Sequence, residues 1–408
     1  MPGSHQKPLP HSAHWGAFTA RPNPAGGLEI APHPGDPDPS PILGNLTDAQ
    51  NHRARIARPM IRRGWLEKGP GPSEARGSED FVAVSWDEAL DRLAAELLRV
   101  RDTFGPGAVF GGSYGWASAG RFHHAQSQIH RFLNVALGGY VRSVGSYSAG
   151  AAQVILPHVI GAFEDVSRHN VSSHQVMEHT DLILSFGGMA VKNSNIASGG
   201  VSHHIERGAM AKAAARGARF VNISPLRTDF PSEAEADWVA VRPGTDTALM
   251  LAMMYVLDAE GLADTGFLAS HCVGYERFAR YLCGETDGVA KHPRWAAEFT
   301  GVDAATIENL ARRAAGGRTL ITVAHALQRA EHGEQTYWMA ATLAAMLGQI
   351  GVAGGGCGFG YGSMHGYGNP VDPSAVPAMA TGGDPPPRAL PVPSTPLPRP
   401  TTRPTTIP

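Results

Sequence analysis

Short apolar strands that alternate with helices are the feature of this sequence that most constrains its fold. The segment Asp181–Phe186 is almost wholly apolar and is followed by Gly187 and Gly188, a pattern typical of a strand buried on both faces of a sheet. Repeated strand–helix–strand units predict an α/β fold, with a mostly parallel sheet and helices on both faces. The other predicted strands are Val82–Val84, Ala108–Phe110, Arg219–Ile223, Asp237–Val241 and Thr319–Val323.

Apolar residues at helical spacing predict the intervening helices. Ser85 followed three residues later by Glu88 is a capping box, which favours a helix from Trp86 to about Asp102. Pro157 is expected to stop a helix that begins at Gly150 and reaches Ile155. The remaining predicted helices are Phe122–Ala136, Ile205–Ala215, Thr245–Leu257 and Glu334–Leu347.

The charge balance and the cysteines exclude several classes of protein. The 408 residues hold 34 Lys plus Arg and 36 Asp plus Glu, so no excess of basic residues favours a nucleic-acid partner. The three cysteines, Cys272, Cys283 and Cys357, include no C-x-x-C pair, which excludes a zinc or iron–sulfur site made only of cysteines. The longest apolar run, Thr247–Leu257, is too short for a membrane span.

The two ends of the chain carry little regular pattern. Residues 1–80 are rich in Pro, Gly and His, which predicts loops and short strands. No charged and then apolar export signal opens the chain, so we expect a cytoplasmic protein; a start further upstream would permit a periplasmic one. The segment Pro373–Pro408 holds 12 of the 32 prolines, and we therefore expect a disordered tail over residues 371–408.

A serine-hydrolase motif occurs once. Gly111–Gly115 matches G-x-S-x-G, in which Ser113 would be the nucleophile. That motif requires a helix directly after the serine, whereas Gly115–Gly120 prolongs the loop, so a hydrolase is kept only as a distant alternative. Neither the dinucleotide fingerprint G-x-G-x-x-G nor the phosphate loop G-x-x-x-x-G-K-[ST] occurs, which argues against both kinds of nucleotide site.

Polar residues follow several of the predicted strands. In an open α/β sheet, ligands bind at the carboxyl ends of the strands, and Lys and Arg there suit a diphosphate. Each residue taken singly is better explained as a helix cap or a surface charge, but together they favour a large phosphate-bearing ligand. Adjacent histidines on a helix do not face one another, so His123–His124 and His203–His204 are interpreted as solvated or core side chains rather than metal ligands. The polar residues are Lys192, Asn193, Ser224, Arg227, Arg242 and Asp246.

Several segments, taken in order, resemble one family. The sequence between about His11 and Pro370 resembles the molybdopterin oxidoreductases of the dimethyl sulfoxide, trimethylamine N-oxide and biotin sulfoxide reductase group. The resemblance implies a molybdenum bis(molybdopterin guanine dinucleotide) cofactor and no iron–sulfur cluster. It also implies a reductase that removes an oxygen atom from an S-oxide or N-oxide and releases it as water through Mo(IV)/Mo(VI), with an electron donor of unknown identity. The segments are Gly111–Trp116, Gly145–His158, Arg242–Leu251, His332–Gln335 and Gly348–Gly356.

The resemblance assigns roles to individual residues. Ser148 stands at the position of the family's metal ligand. The chemistry agrees, because a high-valent metal favours an anionic oxygen donor. The alternative for Ser148 is the N-cap of the helix that follows. Tyr114 and Trp116 would orient the substrate oxygen, and Tyr114 is typical of the branch that reduces S-oxides. The residues implied to contact the pterins and guanines are Lys192, Ser224, Arg227, Gly244, Asp246, Gln328 and Arg329.

The resemblance also implies the domain organisation. Residues 81–180 would form part of a substrate-funnel α/β domain, 181–325 an α/β domain that binds one pterin guanine dinucleotide, and 326–370 a return to the funnel domain. Members of this group continue further, so we expect a C-terminally truncated chain, with a non-catalytic remnant as the alternative to an active enzyme. Three departures from the family pattern are Ser224 in place of Asn, His325 in place of Trp and Ala149 in place of Thr.

Overall fold

The computed structural model describes residues 7–47, 49–113, 124–197, 199–201, 203–369 and 389–391. Among these, contacts define two compact units. The large unit comprises residues 7–52 and 147–369, and the small unit comprises residues 53–113, 124–146 and 389–391. The division into five segments that the resemblance implies stays a prediction.

Twelve strands and thirteen α-helices lie within the described residues. The strands are β1 Leu9–Ala13, β2 Gly16–Pro22, β3 Leu28–Pro32, β4 Met60–Arg62, β5 Phe81–Ala83, β6 Arg142–Val144, β7 Leu182–Phe186, β8 Arg219–Ile223, β9 Asp237–Val239, β10 Thr319–Val323, β11 Gly356–Phe359 and β12 Ala389–Pro391. The helices are α1 Arg63–Lys68, α2 Trp86–Phe104, α3 Ala125–Leu137, α4 Gly150–Val159, α5 Phe163–Arg168, α6 Ser173–His179, α7 Glu206–Arg216, α8 Asp246–Ala259, α9 Thr265–His271, α10 Tyr275–Leu282, α11 Pro293–Thr300, α12 Ala304–Ala315 and α13 Glu334–Met346.

A five-stranded parallel sheet forms the centre of the large unit, which confirms the predicted α/β fold. Its strand order is β11-β10-β7-β8-β9, and every neighbouring pair is parallel. The chain runs from β7 outward to β9 and then returns to β10 on the other side of β7. The strand order therefore reverses between β7 and β10, and in sheets of this kind a ligand crevice opens at that point.

Alternate residues of the central strands pack into two separate cores. Leu184 of β7 belongs to the larger core, which is filled by α4, α8, α12 and α13. Ile183, its neighbour in β7, belongs to a smaller core with Phe220 of β8 and Met210 of α7. Because successive side chains of a strand point to opposite faces, helices cover both faces of the sheet.

An antiparallel sheet formed by β1, β2 and β3 joins the same unit at the N-terminus. Its link to the helical region is a buried pair in which the Asp36 carboxylate lies 2.7 Å from His204 Nδ1 and also accepts the His204 amide at 3.0 Å. The hydrogen bonds from His204 hold the pKa of Asp36 below its usual range against the opposing effect of burial. His204 is thus a core histidine, as predicted, whereas His124 caps α3 by accepting the Ser127 amide.

Helix α2 of the small unit begins as predicted, because the Ser85 hydroxyl accepts the Glu88 amide at 3.1 Å. The predicted strand Ala108–Phe110 is wrong: Pro106–Ala108 is a 3-10 helix, and only Phe110 makes a bridge, with Val141. Three apolar residues with one partner position do not form a strand ladder.

Two further expectations meet a different outcome in the structure. Helix α4 continues through Pro157 to Val159, so the predicted stop is wrong. Of the expected tail, Ala389–Pro391 pairs in parallel with Arg142–Val144, and the rest lies outside the described residues. No helix in the described part of the chain is long and apolar enough to cross a membrane.

Candidate functional site

The carboxyl ends of β7 and β10 meet at the point where the strand order reverses. Gly187 directly follows β7 with φ +86°, and a Cβ there would lie 2.7 Å from the Cβ of Ala324, the residue after β10. Any side chain at Gly187 would close the space between the two strand ends. The loops that leave β7 and β10 therefore approach each other most closely where an α/β sheet offers its ligand crevice.

Ser148 lies beside the loop that leaves β10. Its carbonyl accepts a hydrogen bond of 3.1 Å from the Arg329 Nε, and Ser148 is exposed. The N-cap of α4 is Ala149, so the alternative interpretation of Ser148 as the N-cap residue is wrong. The structure thus brings together three residues from separate predictions: Ser148, Arg329 and, through the first turn of α4, Gln328.

Gln328 is buried and joins α4 to the end of β10. Its side-chain oxygen accepts the Ala152 amide at 2.8 Å, and its side-chain nitrogen donates to the Tyr337 hydroxyl at 3.0 Å. Two hydrogen bonds at opposite ends of one amide leave Gln328 little freedom to turn toward another group. Gln328 therefore links α4 to Tyr337 near the carboxyl end of β10. Arg329, in contrast, is exposed and presents its charge to solvent.

Lys192 and Ser224 come together through one carboxylate. Lys192 Nζ lies 4.0 Å from Asp229 Oδ1, and the Ser224 hydroxyl donates to Asp229 Oδ2 at 2.8 Å. Ser224 is buried and its oxygen also accepts the Leu226 amide, so this side chain shapes the turn after β8. The Lys192 ammonium is largely exposed and can reach an anion.

The remaining implied contacts follow β8 and β9. Arg227 comes after β8, and Gly244 and Asp246 come after β9. Arg227 is exposed, and Gly244 has φ +80° in the turn before α8. Asp246 opens α8 and is 2% exposed. Its Oδ1 has no hydrogen-bond partner among the described residues, and burial raises its pKa to about 6. A buried carboxylate with a spare acceptor at a helix N-terminus suits a ligand that donates N–H groups.

A row of buried polar side chains was missed by the sequence interpretation. Thr322 of β10, Ser185 of β7 and Asn222 of β8 are in register across three adjacent strands, one residue before each strand ends. Each is buried and has a side-chain oxygen without a partner in the described part of the chain. The signal was present, because the five-residue strands LILSF, RFVNI and TLITV each carry one polar residue at the fourth place.

Two predicted catalytic residues, Tyr114 and Trp116, lie outside the described residues. Ser113 is described, but the segment that would have to begin a helix directly after it is not. Among the described residues, no group of three or more His, Cys, Asp or Glu side chains could hold a metal ion.

Comparison with known proteins decides the family. The model for "Molybdopterin oxidoreductase" matches residues 55–387, and that for "Molybdopterin oxidoreductase N-terminal domain" matches residues 11–50. The chain belongs to the molybdopterin oxidoreductase family. This confirms the resemblance and the coarse prediction of a molybdenum–pterin cofactor.

Curated molybdopterin relatives match over most of this chain but are much longer. Dimethyl sulfoxide/trimethylamine N-oxide reductase of Rhodobacter capsulatus is 43% identical over 86% of this chain and 42% of its own length. Biotin sulfoxide reductase of Cereibacter sphaeroides is 40% identical over 86% and 47%, and trimethylamine-N-oxide reductase 1 of Escherichia coli (strain K12) is 40% identical over 88% and 43%. The chain thus spans less than half the length of these relatives.

One solved structure agrees with the architecture. Acetylene hydratase from Pelobacter acetylenicus superposes with a TM-score of 0.55 over 85% of this chain and 44% of its own, at 21% identity. At this identity the likeness supports the fold alone.

The residues at the carboxyl ends of the parallel strands fit a phosphate-bearing pterin cofactor. The family's cofactor carries phosphate groups, and the exposed cations Lys192, Arg227 and Arg329 all follow carboxyl ends of the parallel sheet. The Asp246 oxygen that has no partner among the described residues could accept N–H groups from a ligand. The close approach at Gly187 leaves backbone, rather than side chains, at the reversal point.

Proposed function

We propose that this chain is the cofactor-binding part of a molybdenum-dependent S-oxide or N-oxide reductase, with bis(molybdopterin guanine dinucleotide) and without an iron–sulfur cluster. The observation that carries the proposal is the convergence of Ser148, Arg329 and Gln328 at the switch point of the sheet. The names of the curated relatives, which are S-oxide and N-oxide reductases, support the substrate class. We further propose a cytoplasmic location and a separate, unidentified electron donor.

Ser148 is the proposed metal ligand, and its surroundings explain how it would be presented. The bonded Arg329 guanidinium fixes the Ser148 carbonyl, so the hydroxyl is held at the exposed start of α4. When bound, the molybdenum centre would supply two-electron oxygen-atom transfer. Tyr114 and Trp116 are proposed to donate hydrogen bonds to the substrate oxygen.

The remaining proposed contacts divide by chemistry. Lys192, Arg227 and Arg329 would neutralise phosphates, and the turn at Gly244 allows backbone to approach them. Asp246 would accept from a guanine. Ser224 and Gln328 are assigned to the lining of the site, where each orients a neighbour: Asp229 for Ser224 and α4 for Gln328.

Expression in a host that makes the molybdenum cofactor tests the proposal. We expect purified chain to carry molybdenum and to release GMP on acid hydrolysis, with no stoichiometric iron. A reduced viologen should then support turnover of dimethyl sulfoxide and trimethylamine N-oxide. Chain without metal or pterin would contradict the proposal and favour a non-catalytic remnant. Labelling of Ser113 by a fluorophosphonate would instead favour the hydrolase.

Substitution of the proposed ligand sharpens the test. Ser148→Ala should abolish turnover, because alanine offers no oxygen to the metal. The control is Ser270→Ala, which removes the serine hydroxyl that bonds to Gly266 on α9, far along the chain from the sheet edge. Unchanged turnover in Ser148→Ala, in a preparation that retains the metal, would refute the ligand assignment.

A further inference from the structure

Helix α4 begins at Gly150, two residues after the proposed ligand Ser148, and its N-cap residue makes no side-chain hydrogen bond. Its N-cap residue is Ala149, whose methyl group cannot accept a hydrogen bond. The first turn of any helix leaves backbone N–H groups without intrahelical partners, and these are usually satisfied by a nearby Ser, Thr, Asp or Asn. Here the Ala152 amide is satisfied by Gln328, which lies 176 residues further along the chain.

The orientation of the Gln328 amide is therefore fixed by α4 at one end. Its oxygen must face the Ala152 amide, so its NH₂ group faces Tyr337, to whose hydroxyl it donates at 3.0 Å. A reversed amide would place two donors against each other at the first turn of α4. Whatever holds the Tyr337 hydroxyl then also holds Gln328.

His325 supplies the acceptor that the Tyr337 hydroxyl needs. The Tyr337 hydroxyl lies 2.9 Å from His325 Nδ1, and the Tyr367 hydroxyl lies 2.8 Å from Nε2. The Tyr337 hydroxyl accepts a hydrogen bond from Gln328, so it donates its own proton in a hydrogen bond to His325 Nδ1. The imidazole proton then sits on Nε2 and is donated to Tyr367. One continuous direction of donation thus runs from Gln328 to Tyr367.

The surroundings keep His325 in this neutral form and in this place. Burial, assisted by the positive charge of Arg329, lowers the pKa of His325 to about 4. Phe163 packs against the imidazole with ring centroids 5.8 Å apart, and a Cβ at Gly360 would lie 2.7 Å from Nε2. Besides Arg329, the described groups that face the ring are Tyr337, Tyr367, Gln328 and Phe163, and none of these is acidic.

We propose that His325 is a positioning residue that, through Tyr337, orients Gln328 and so fixes the start of α4 beside Ser148. The inference rests on the proposed function for the role of Ser148, but the coupling itself belongs to the folded chain.

Hydrogen–deuterium exchange of the whole chain, resolved amide by amide, tests the coupling. In His325→Phe the ring remains but the acceptor is lost, and the Ala152 amide should exchange about tenfold faster. His325→Asn places a carbonyl oxygen near the position of Nδ1, so it should restore exchange to within about threefold of the natural chain. A general packing role for His325 would not produce rescue by Asn.

A second variant guards against misfolding of His325→Phe. Tyr337→Phe removes one oxygen atom and should accelerate exchange at Ala152 to the same extent. The control is Tyr275→Phe, which removes the hydrogen bond from a half-buried phenol hydroxyl to Asp258 and should leave Ala152 exchange unchanged. Unaltered exchange at Ala152 in Tyr337→Phe would overturn the proposal, as would failure of His325→Asn to differ from His325→Phe.

The outcome is separable from that of the proposed function. The exchange measurement needs neither metal nor turnover, so it tests the coupling even in a chain that carries no cofactor. Where the chain does carry the metal, His325→Phe should lower turnover and His325→Asn should restore it. Turnover that stays unchanged while Ala152 exchange accelerates would separate the start of α4 from the chemistry and contradict the positioning role.

Discussion

At the scale of single residues, the Asp246 carboxylate lowers the stability of the folded chain, yet it is a proposed cofactor contact. A carboxyl group that is 2% exposed with an unpartnered oxygen destabilises the folded chain when it is ionised, because burial penalises the charge. The same unpaired acceptor is what would recognise a nucleobase. A binding residue of this kind is expected to stabilise the protein when it is replaced.

We therefore predict that Asp246→Asn raises the free energy of unfolding at pH 7 but removes cofactor retention. The folded pKa, about 6, lies above the ordinary 3.8 of the free carboxyl. Stability from the neutral form is fully present below pH 3.8 and is lost as pH rises through 6. The gain in Asp246→Asn should thus be near zero at pH 4 and reach about 3 kcal/mol by pH 7.

Urea unfolding between pH 4 and pH 8 measures this gain. Asp303→Asn is the matched control, because Asp303 also stands at the start of a helix but its pKa is lowered, chiefly by the hydrogen bond from the Thr306 hydroxyl. A lowered pKa means that the charged form stabilises, so no gain should appear with rising pH. A pH-independent effect of Asp246→Asn would contradict the assignment.

The sequence predicted the position of a polar residue correctly where that residue comes shortly after a predicted strand. Lys192, Ser224 and Arg227 all follow strands of the sheet, as expected. The actual engagement of Ser224 with Asp229, and of Gln328 with Ala152, depends on partners far away in sequence. No local pattern contains that information, and His325 stood out only as a departure from a family pattern.

At the scale of elements, the strands β7, β8 and β10 were predicted almost to the residue. Their apolar residues alternate between two cores, and such burial dictates strand length. Strand β9 ends at Val239, two residues early, because β8, its neighbour in the described sheet, ends at Ile223 opposite Val239. Helix α4 passes Pro157 because the fully buried Ala152 and Leu156 anchor it in the larger core.

The buried polar row in this sheet yields an element-scale prediction. The Thr322 hydroxyl has no partner among the described residues, so its desolvation is uncompensated. Thr322→Val should raise the free energy of unfolding by about 1 kcal/mol. In Thr319, at the other end of β10, the buried hydroxyl donates to the Ala314 carbonyl at 2.8 Å.

The Thr319→Val control should therefore move in the opposite direction, by about 1 kcal/mol, because it leaves the Ala314 carbonyl unpaired. Denaturant unfolding of both variants compares an unpaired with a paired hydroxyl in one strand. Equal loss of stability in the two would show that the Thr322 hydroxyl is satisfied in solution, for example by an ordered water.

At the scale of the whole molecule, the small unit exposes much apolar surface. No residue of α2 is buried, although its leucines recur at helical spacing. Leu90 and Leu93 are 53% and 52% exposed, and nearby Ile56, Met60, Phe81 and Trp86 line a groove of about 500 Å³. Exposed apolar side chains and an apolar groove offer binding surface to hydrophobic probes.

We predict that the folded chain binds an anilinonaphthalene dye and that Leu90→Gln with Leu93→Gln lowers that binding at least twofold. Both side chains are already half in water, so the free energy of unfolding should change by less than about 1 kcal/mol. The matched control is Leu249→Gln with Leu343→Gln in the larger core of the large unit, where both leucines are fully buried. That pair should unfold the unit and increase dye fluorescence. Dye binding that survives the Leu90 and Leu93 substitutions unchanged would place the apolar surface elsewhere in the molecule.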